Sequence, residues 1–201
     1  MIRYPNGAHP APKDESKKEK KEKRVIFNAG NRGMDFEADI NQSNVFYAEN
    51  HIALITKRPT PINIVKVDYS HGARITDAYF ESKSTTDYNG VYRGKYLDFE
   101  AKSCHAKTSF PLHNITEHQI QHLEGVLEHG GIAFFLLDLV IFDEVYLLDA
   151  NFVIKQYRTG TRKSIPYSLI QQYGAKVKQG FLPRLQYLET VDEVYFHEKN
   201  F

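Results

Sequence analysis

The stretch IAFFLLDLV at residues 132–140 constrains the fold most strongly. Strand alternation sends neighbouring side chains to opposite faces, and here both faces are apolar, so the segment reads as a buried strand. Continued to Phe142, the run is still too short to cross a bilayer, and it contains Asp138. EVYLLDA at 144–150 reads as a second strand. Between them and the N-terminus, Thr116 can cap a helix over 117–128, with Ile120, Leu123 and Leu127 on one face and Gly130-Gly131 as its stop. A further helix fits 31–50, where Phe36, Ile40 and Tyr47 fall near one face. Asp35, Glu37 and Asp39 are expected early in it, where the helix dipole favours anions. A short helix is expected around 166–174. The order helix, strands, helix, strands implies an α/β domain with a mixed sheet. A chain of 201 residues, 41% of them hydrophobic, favours one domain with a real core.

Residues 51–69 read as extended. Pro59 and Pro61 preclude a continuous helix and suggest an edge or a protruding segment. Ser70-His71-Gly72 is a turn signal, and ARITDAYFES at 73–82 alternates as a returning strand. A long, projecting hairpin over about 57–82 is therefore expected.

Residues 1–30 read as a tail. KDESKKEKKEKR at 13–24 has seven basic and four acidic residues and nothing apolar to bury, so it reads as disordered or weakly helical. It is a solvated charge run or a sliding contact to phosphates. Formal net charge is only +1, so a polyanion-binding surface must come from how charges are distributed. A lone cysteine, Cys104, cannot form an internal disulfide and fits a reducing cytoplasm. MIRYPNGAHP, at the start, has no apolar segment of a signal peptide.

The chemistry concentrates in TTDYNGVYRGKYLDFEAK, residues 85–102. A hairpin turning at Arg93-Gly94 sets position 87 opposite position 100, with both side chains on one face about 5 Å apart at Cβ. Thr85 and Lys102 then share that face with Asp87 and Glu100, while Tyr88, Phe99 and Ala101 point to the other. Two carboxylates this close call for a cation, and a hard divalent ion such as Mg²⁺ takes such oxygens. Lys102 beside them can stabilise charge on a phosphorane or orient the attacking water. The implied chemistry is phosphodiester hydrolysis. Asn89-Gly90 is a competing turn signal, and reversal there would pair Asp87 with Tyr92 and dismantle the face. Gln119, at the start of the helix over 117–128, is either a half-buried polar residue or a group that binds a metal-bound water or a phosphate.

Asp87 followed by EAK at 100–102 resembles the active-site pattern of the PD-(D/E)xK nuclease superfamily. NRGM at 31–34, KRPTPINIVKVDY at 57–69, STTDYNGVYRGKYLDFEAK at 84–102 and KTSFPLHN with HQI at 107–120 together resemble the RecU family of Holliday-junction resolvases. That resemblance spans roughly 25–200 and implies a restriction-endonuclease-like core, a mixed β-sheet flanked by helices, with a protruding hairpin stalk on a nuclease domain over 31–201. It implies metal sites at Thr85, Asp87, Glu100 and Gln119, a transition-state lysine at Lys102, and an acidic contribution from Glu37. It further implies Mg²⁺, with Mn²⁺ as a possible substitute. The implied substrate is a four-way DNA junction cut by a homodimer, and the implied partner is the RecA recombinase. The first acidic position reads TTD where the superfamily name has PD, but the carboxylate is kept. Two symmetric cuts need two equivalent sites, which a two-fold dimer supplies. Lys57, Arg58, Lys66 and Arg74 on the stalk, and Arg32 before the first helix, are candidate phosphate contacts or plain solubility charges. A linear-duplex nuclease of the same superfamily and a non-catalytic, RecA-regulating junction scaffold are the competing readings.

His118 and His122 have the i, i+4 spacing of a zinc pair, but no third ligand or intervening general-base glutamate accompanies them, so they read as helix-surface histidines. Cys104 reads as incidental, in a polar loop.

Overall fold

A computed structural model describes residues 29–80 and 85–196, of which 29–35 are described as helix backbone alone. The charged run at 13–24 lies outside the described residues. Helix α1 (Ala29–Glu49) leads into β1 (Leu54–Lys57), β2 (Ile62–Asp68) and β3 (Arg74–Phe80). Strands β4 (Tyr88–Tyr92), β5 (Lys95–Cys104) and β6 (Ser109–Pro111) follow, then α2 (Glu117–Glu128). Strands β7 (Ile132–Leu139) and β8 (Glu144–Asp149) run into α3 (Ala150–Thr159). The chain continues through β9 (Ser164–Pro166), α4 (Tyr167–Tyr173), β10 (Ala175–Val177) and α5 (Tyr187–Val191).

Six strands form one sheet in the order β1-β4-β5-β7-β8-β10. β5 and β7 pair in parallel and the other neighbours pair antiparallel, so the sheet is mixed as expected. β7 is apolar on both faces because both are covered. Phe134 and Leu136 join Phe36, Ile40 and Tyr47 of α1 and Tyr187 and Leu188 of α5 in one core. Ala133, Phe135 and Leu137 join Ile120 and Leu123 of α2, Val153 of α3 and Ile170 of α4 in the other. Tyr88, Phe99 and Phe134 stack in sequence across three strands, with ring centroids 5.0 and 4.7 Å apart. Such pairs stabilise a core beyond the apolar area they bury.

The turn that decides the site's geometry falls at Arg93-Gly94. Both residues are left-handed, with φ of 48° and 72°, as a two-residue turn matching the strands' twist requires. The ladder runs from Tyr92 opposite Lys95 to Tyr88 opposite Phe99. Asn89-Gly90, the competing turn signal, lies inside β4. Gly90 is there for a different reason: a Cβ on it would sit 2.1 Å from the Leu54 carbonyl oxygen and 2.6 Å from Ile55 Cα. The edge strand β1 approaches β4 too closely for any side chain.

β2 and β3 form their own two-stranded sheet, with Ile62 opposite Phe80 and Asp68 opposite Arg74 and a register irregularity around Lys66. All of their residues except Val67 are exposed. Pro59 and Pro61 occupy the link between β1 and β2, where no ladder amide is needed. A separate, exposed hairpin, β2 and β3, thus occupies most of the span read as a projecting hairpin.

Three expectations are corrected. α1 begins at Ala29, inside the segment read as tail, so its acidic residues come after the first turn and gain little from the dipole. Ala150 is not the end of a strand but the start of α3, which the sequence reading missed. Asp149 closes β8 and also caps α3, its carboxylate accepting from the Asn151 N–H at 2.9 Å, so no loop separates strand from helix. Cys104 is not in a polar loop: it ends β5, buried, with Sγ 3.7 Å from the Ser109 carbonyl.

Candidate active site

Alternation along β5 divides its side chains cleanly. Leu97, Phe99 and Ala101 face the α1 core, while Asp98, Glu100 and Lys102 point to the α2 side. Asp87 stands one residue before β4, where the ladder would next pair it with Glu100. Its carboxylate is fixed there by the Ala101 N–H at 3.1 Å, and its carbonyl accepts the Arg58 N–H at 2.8 Å.

Glu100 is fully buried. Lys102 Nζ lies 2.6 Å from its Oε1. Gln119 Nε2 donates to the same oxygen at 2.5 Å. Oε2 is buried and has no hydrogen-bond partner among the described residues. Burial, and next the Asp87 charge, push this carboxyl up to about 8, against the pull of Lys102. A buried carboxylate oxygen with no donor is costly. Beside Asp87 it has the chemistry of a hard-cation ligand, so the residues present fit a divalent ion.

Gln119 reaches Glu100 because Thr116 caps α2 with a reciprocal box. The Thr116 hydroxyl accepts the Gln119 N–H at 3.4 Å and the Gln119 carbonyl oxygen accepts the Thr116 N–H at 2.9 Å. With its oxygen on the cap and its amide nitrogen donating to Glu100, Gln119 orients that carboxylate.

Glu37 on α1, Asp87 and Lys102 line one cleft of about 130 Å³ together with Tyr88 and Ser103. Glu37 is ion-paired with Lys57 there. Among the described residues no three His, Cys, Asp or Glu side chains converge on one point, and Glu37 borders the cleft that Asp87 and Lys102 line. Thr85 is half-buried, and its hydroxyl accepts from Arg58 Nη1 at 2.6 Å.

The expected phosphate contacts separate into two groups. Lys66 and Arg74 are exposed on the hairpin. Lys57 and Arg58 are engaged within the domain, Lys57 with Glu37 and Arg58 with Asp98. The Arg32 side chain lies outside the described residues. His122 is not half of a zinc pair: its Nε2 meets Asp98 Oδ2 at 2.9 Å, and His118 is exposed.

Asp98 is the residue the sequence reading missed. It is fully buried and gathers Thr86, Arg58, Tyr96 and His122. The signal was available, since 98, 100 and 102 share a face by alternation.

A family model described as Recombination protein U, RecU, matches residues 31–193. The chain belongs to the RecU family. The Holliday junction resolvase RecU of Geobacillus sp. (strain WCH70) is 55% identical over 174 residues, 84% of this chain and 87% of that protein. Its counterpart from Geobacillus kaustophilus (strain HTA426) is 46% identical over 200 residues, 97% and 98% of the two chains. Among solved structures, the Hjc Holliday junction resolvase of Archaeoglobus fulgidus matches with a TM-score of 0.42 at 14% identity, covering 71% of this chain and 94% of that one. The family match leaves the charged run at 13–24 outside it. It includes every candidate site residue.

Proposed function

We propose that the chain is a divalent-cation-dependent endodeoxyribonuclease that cuts four-way DNA junctions by paired, symmetric nicks. One observation carries the reading: the buried Glu100 carboxylate beside Asp87, with one oxygen held by Lys102 and Gln119 and the other without a partner among the described residues. The relatives named Holliday junction resolvase RecU support the choice of substrate.

Asp87 and Glu100 would hold the ion, Mg²⁺ or in its place Mn²⁺, with Thr85 as a neighbouring oxygen donor. Bound there, the ion supplies charge neutralisation at the scissile phosphate and acidifies a water. Lys102 is partly exposed on the cleft, so its ammonium can donate to a phosphate oxygen while Glu100 fixes its position. Gln119 keeps the Glu100 carboxylate in one rotamer. Ala101 N–H does the same for Asp87.

A two-fold homodimer supplies the two equivalent sites that paired nicks require. The hairpin of β2 and β3, with Lys66 and Arg74, is the element suited to enter a junction's open centre. Partnership with RecA and a cytoplasmic place of action complete the reading and rest on the family resemblance.

The test is a synthetic four-way junction with Mg²⁺ beside a linear duplex of matched sequence. Paired nicks on the junction, absent without Mg²⁺ and lost in Lys102→Ala, are expected. Equal cutting of the linear duplex, or a Lys102→Ala variant as fast as the parent, overturns the reading.

A further inference from the structure

Arg58 sits where the hairpin leaves the domain, between the end of β1 and the start of β2. A cation at that place invites a role on DNA, yet its donors are directed inward. Nη2 pairs with the buried Asp98 and lies 2.7 Å from the Tyr96 hydroxyl, Nε lies 3.3 Å from Asn89 Oδ1, and Nη1 donates to Thr85 Oγ1 at 2.6 Å. Its own backbone N–H holds the Asp87 carbonyl at 2.8 Å. The guanidinium side chain is 22% exposed.

Asp98 is the anchor. One of its oxygens takes the Thr86 hydroxyl, and the other takes Arg58, Tyr96 and His122. It is thus held from the residue just after β1, from β5, from α2 and from the segment that carries Asp87. Asp98 and Glu100 are alternate residues on one face of one strand, so this hub adjoins the two-carboxylate cradle. A planar guanidinium with several fixed donors suits such a junction of elements, and an ammonium does not.

We propose that Arg58 is a positioning residue: clamped on buried Asp98, it sets the Thr85–Asp87 segment, and with it the first carboxylate, at the root of the hairpin. The proposal rests on the nuclease reading of the cradle. Arg58 acts through Thr85 and Asp87, without touching the substrate.

The test uses the full-length protein, its Arg58→Lys variant and, because loss of a buried carboxylate is harder to tolerate, Asp98→Asn as the second. Three quantities are read: single-turnover cleavage of a four-way junction at saturating protein, junction Kd without divalent ion, and amide hydrogen exchange of the metal-free protein. Arg58→Lys is expected to slow cleavage at least tenfold and to leave Kd within about twofold, since the charge is kept. Exchange should rise over residues 85–88 and at Ala101, and stay unchanged in β7 and β8. Combining both substitutions should slow cleavage no further than the worse single one, because they break one unit. A raised Kd with normal cleavage at saturation makes Arg58 a phosphate contact and overturns the proposal. So does a variant with parental cleavage and exchange, or one whose exchange rises throughout the domain. A parent protein that fails to cut the junction instead overturns the nuclease reading beneath it.

Discussion

The pair β4–β5 and the pair β2–β3 are both antiparallel hairpins with a left-handed glycine at the turn, yet they hold their side chains in opposite ways. In the first, Asp98 and Glu100 are fully buried, and their neighbours Thr86, Arg58, Lys102 and Gln119 are bonded to them. In the second, Tyr69 and Phe80 are about three-quarters exposed, and no helix among the described residues covers either face. A ladder and a turn are enough to give a hairpin its shape. Fixing a carboxylate against its own hydration takes more: a covering helix, a capped terminus that aims Gln119, and a cation beside it. Chemistry needs the first kind of hairpin. A hairpin that reaches away from the domain needs only the ladder and turn of the second.

The largest break in that comparison is catalytic. Lys102→Ala should lower single-turnover junction cleavage by about 10²–10³-fold, the range for loss of one preorganised donor. Lys66→Ala on the hairpin should leave the rate at saturation unchanged. Quenched-flow or gel assays on one junction separate the two.

Stability offers the next contrast. Gly90→Ala puts a methyl into the backbone of β1 and should lower unfolding free energy by about 1–3 kcal/mol in urea melts. Gly72→Ala, with open space around it and φ of 102°, should cost only about 1 kcal/mol from its left-handed backbone. Equal losses would mean that β1 does not lie against Gly90 as described.

The buried carboxylate gives a pH signature that the hairpin lacks. Glu100 is raised from 4.5 to about 8 by burial and by Asp87. The folded protein therefore holds a proton that the unfolded chain releases. Without divalent ions, stability from this group is full below pH 4.5 and falls as pH rises towards 8. The expected loss is on the order of 5 kcal/mol. Calorimetric melts of metal-free protein should show the decline, and Glu100→Gln should flatten it. Added Mg²⁺ should offset it at pH 8, where the carboxylate is ready to bind.

The smallest effects belong to the exposed charges. Lys66→Ala and Arg74→Ala should change stability by less than about 0.5 kcal/mol. Each should reduce the salt slope of junction affinity by about 1 if it meets a phosphate. Unchanged slopes would leave these residues as solubility charges.

Much of this was legible in the sequence because it depends on local rules. The count about Arg93-Gly94 placed Asp87 opposite Glu100, Thr116 marked the start of α2, and a doubly apolar run marked β7. What was missed depends on contacts between distant segments. Gly90 imitates a turn residue until β1 is seen lying on it. Arg58 looks like a surface cation until Asp98, 40 residues away, is found beneath it. The reach of Gln119 to Glu100 shows only once α2 is packed against β5. The α3 start was hidden because Asp149 belongs to a strand and a cap at once.

The central claim is that Asp87 and Glu100 form a cation cradle. Crystals of the parent soaked in Mn²⁺ at pH 8, with anomalous scattering recorded at the manganese edge, test it most directly. The account predicts a peak between the Asp87 carboxylate and Glu100 Oε2 that disappears in Asp87→Asn. A well-diffracting parent crystal with no peak there, or a peak that survives Asp87→Asn unchanged, would contradict it.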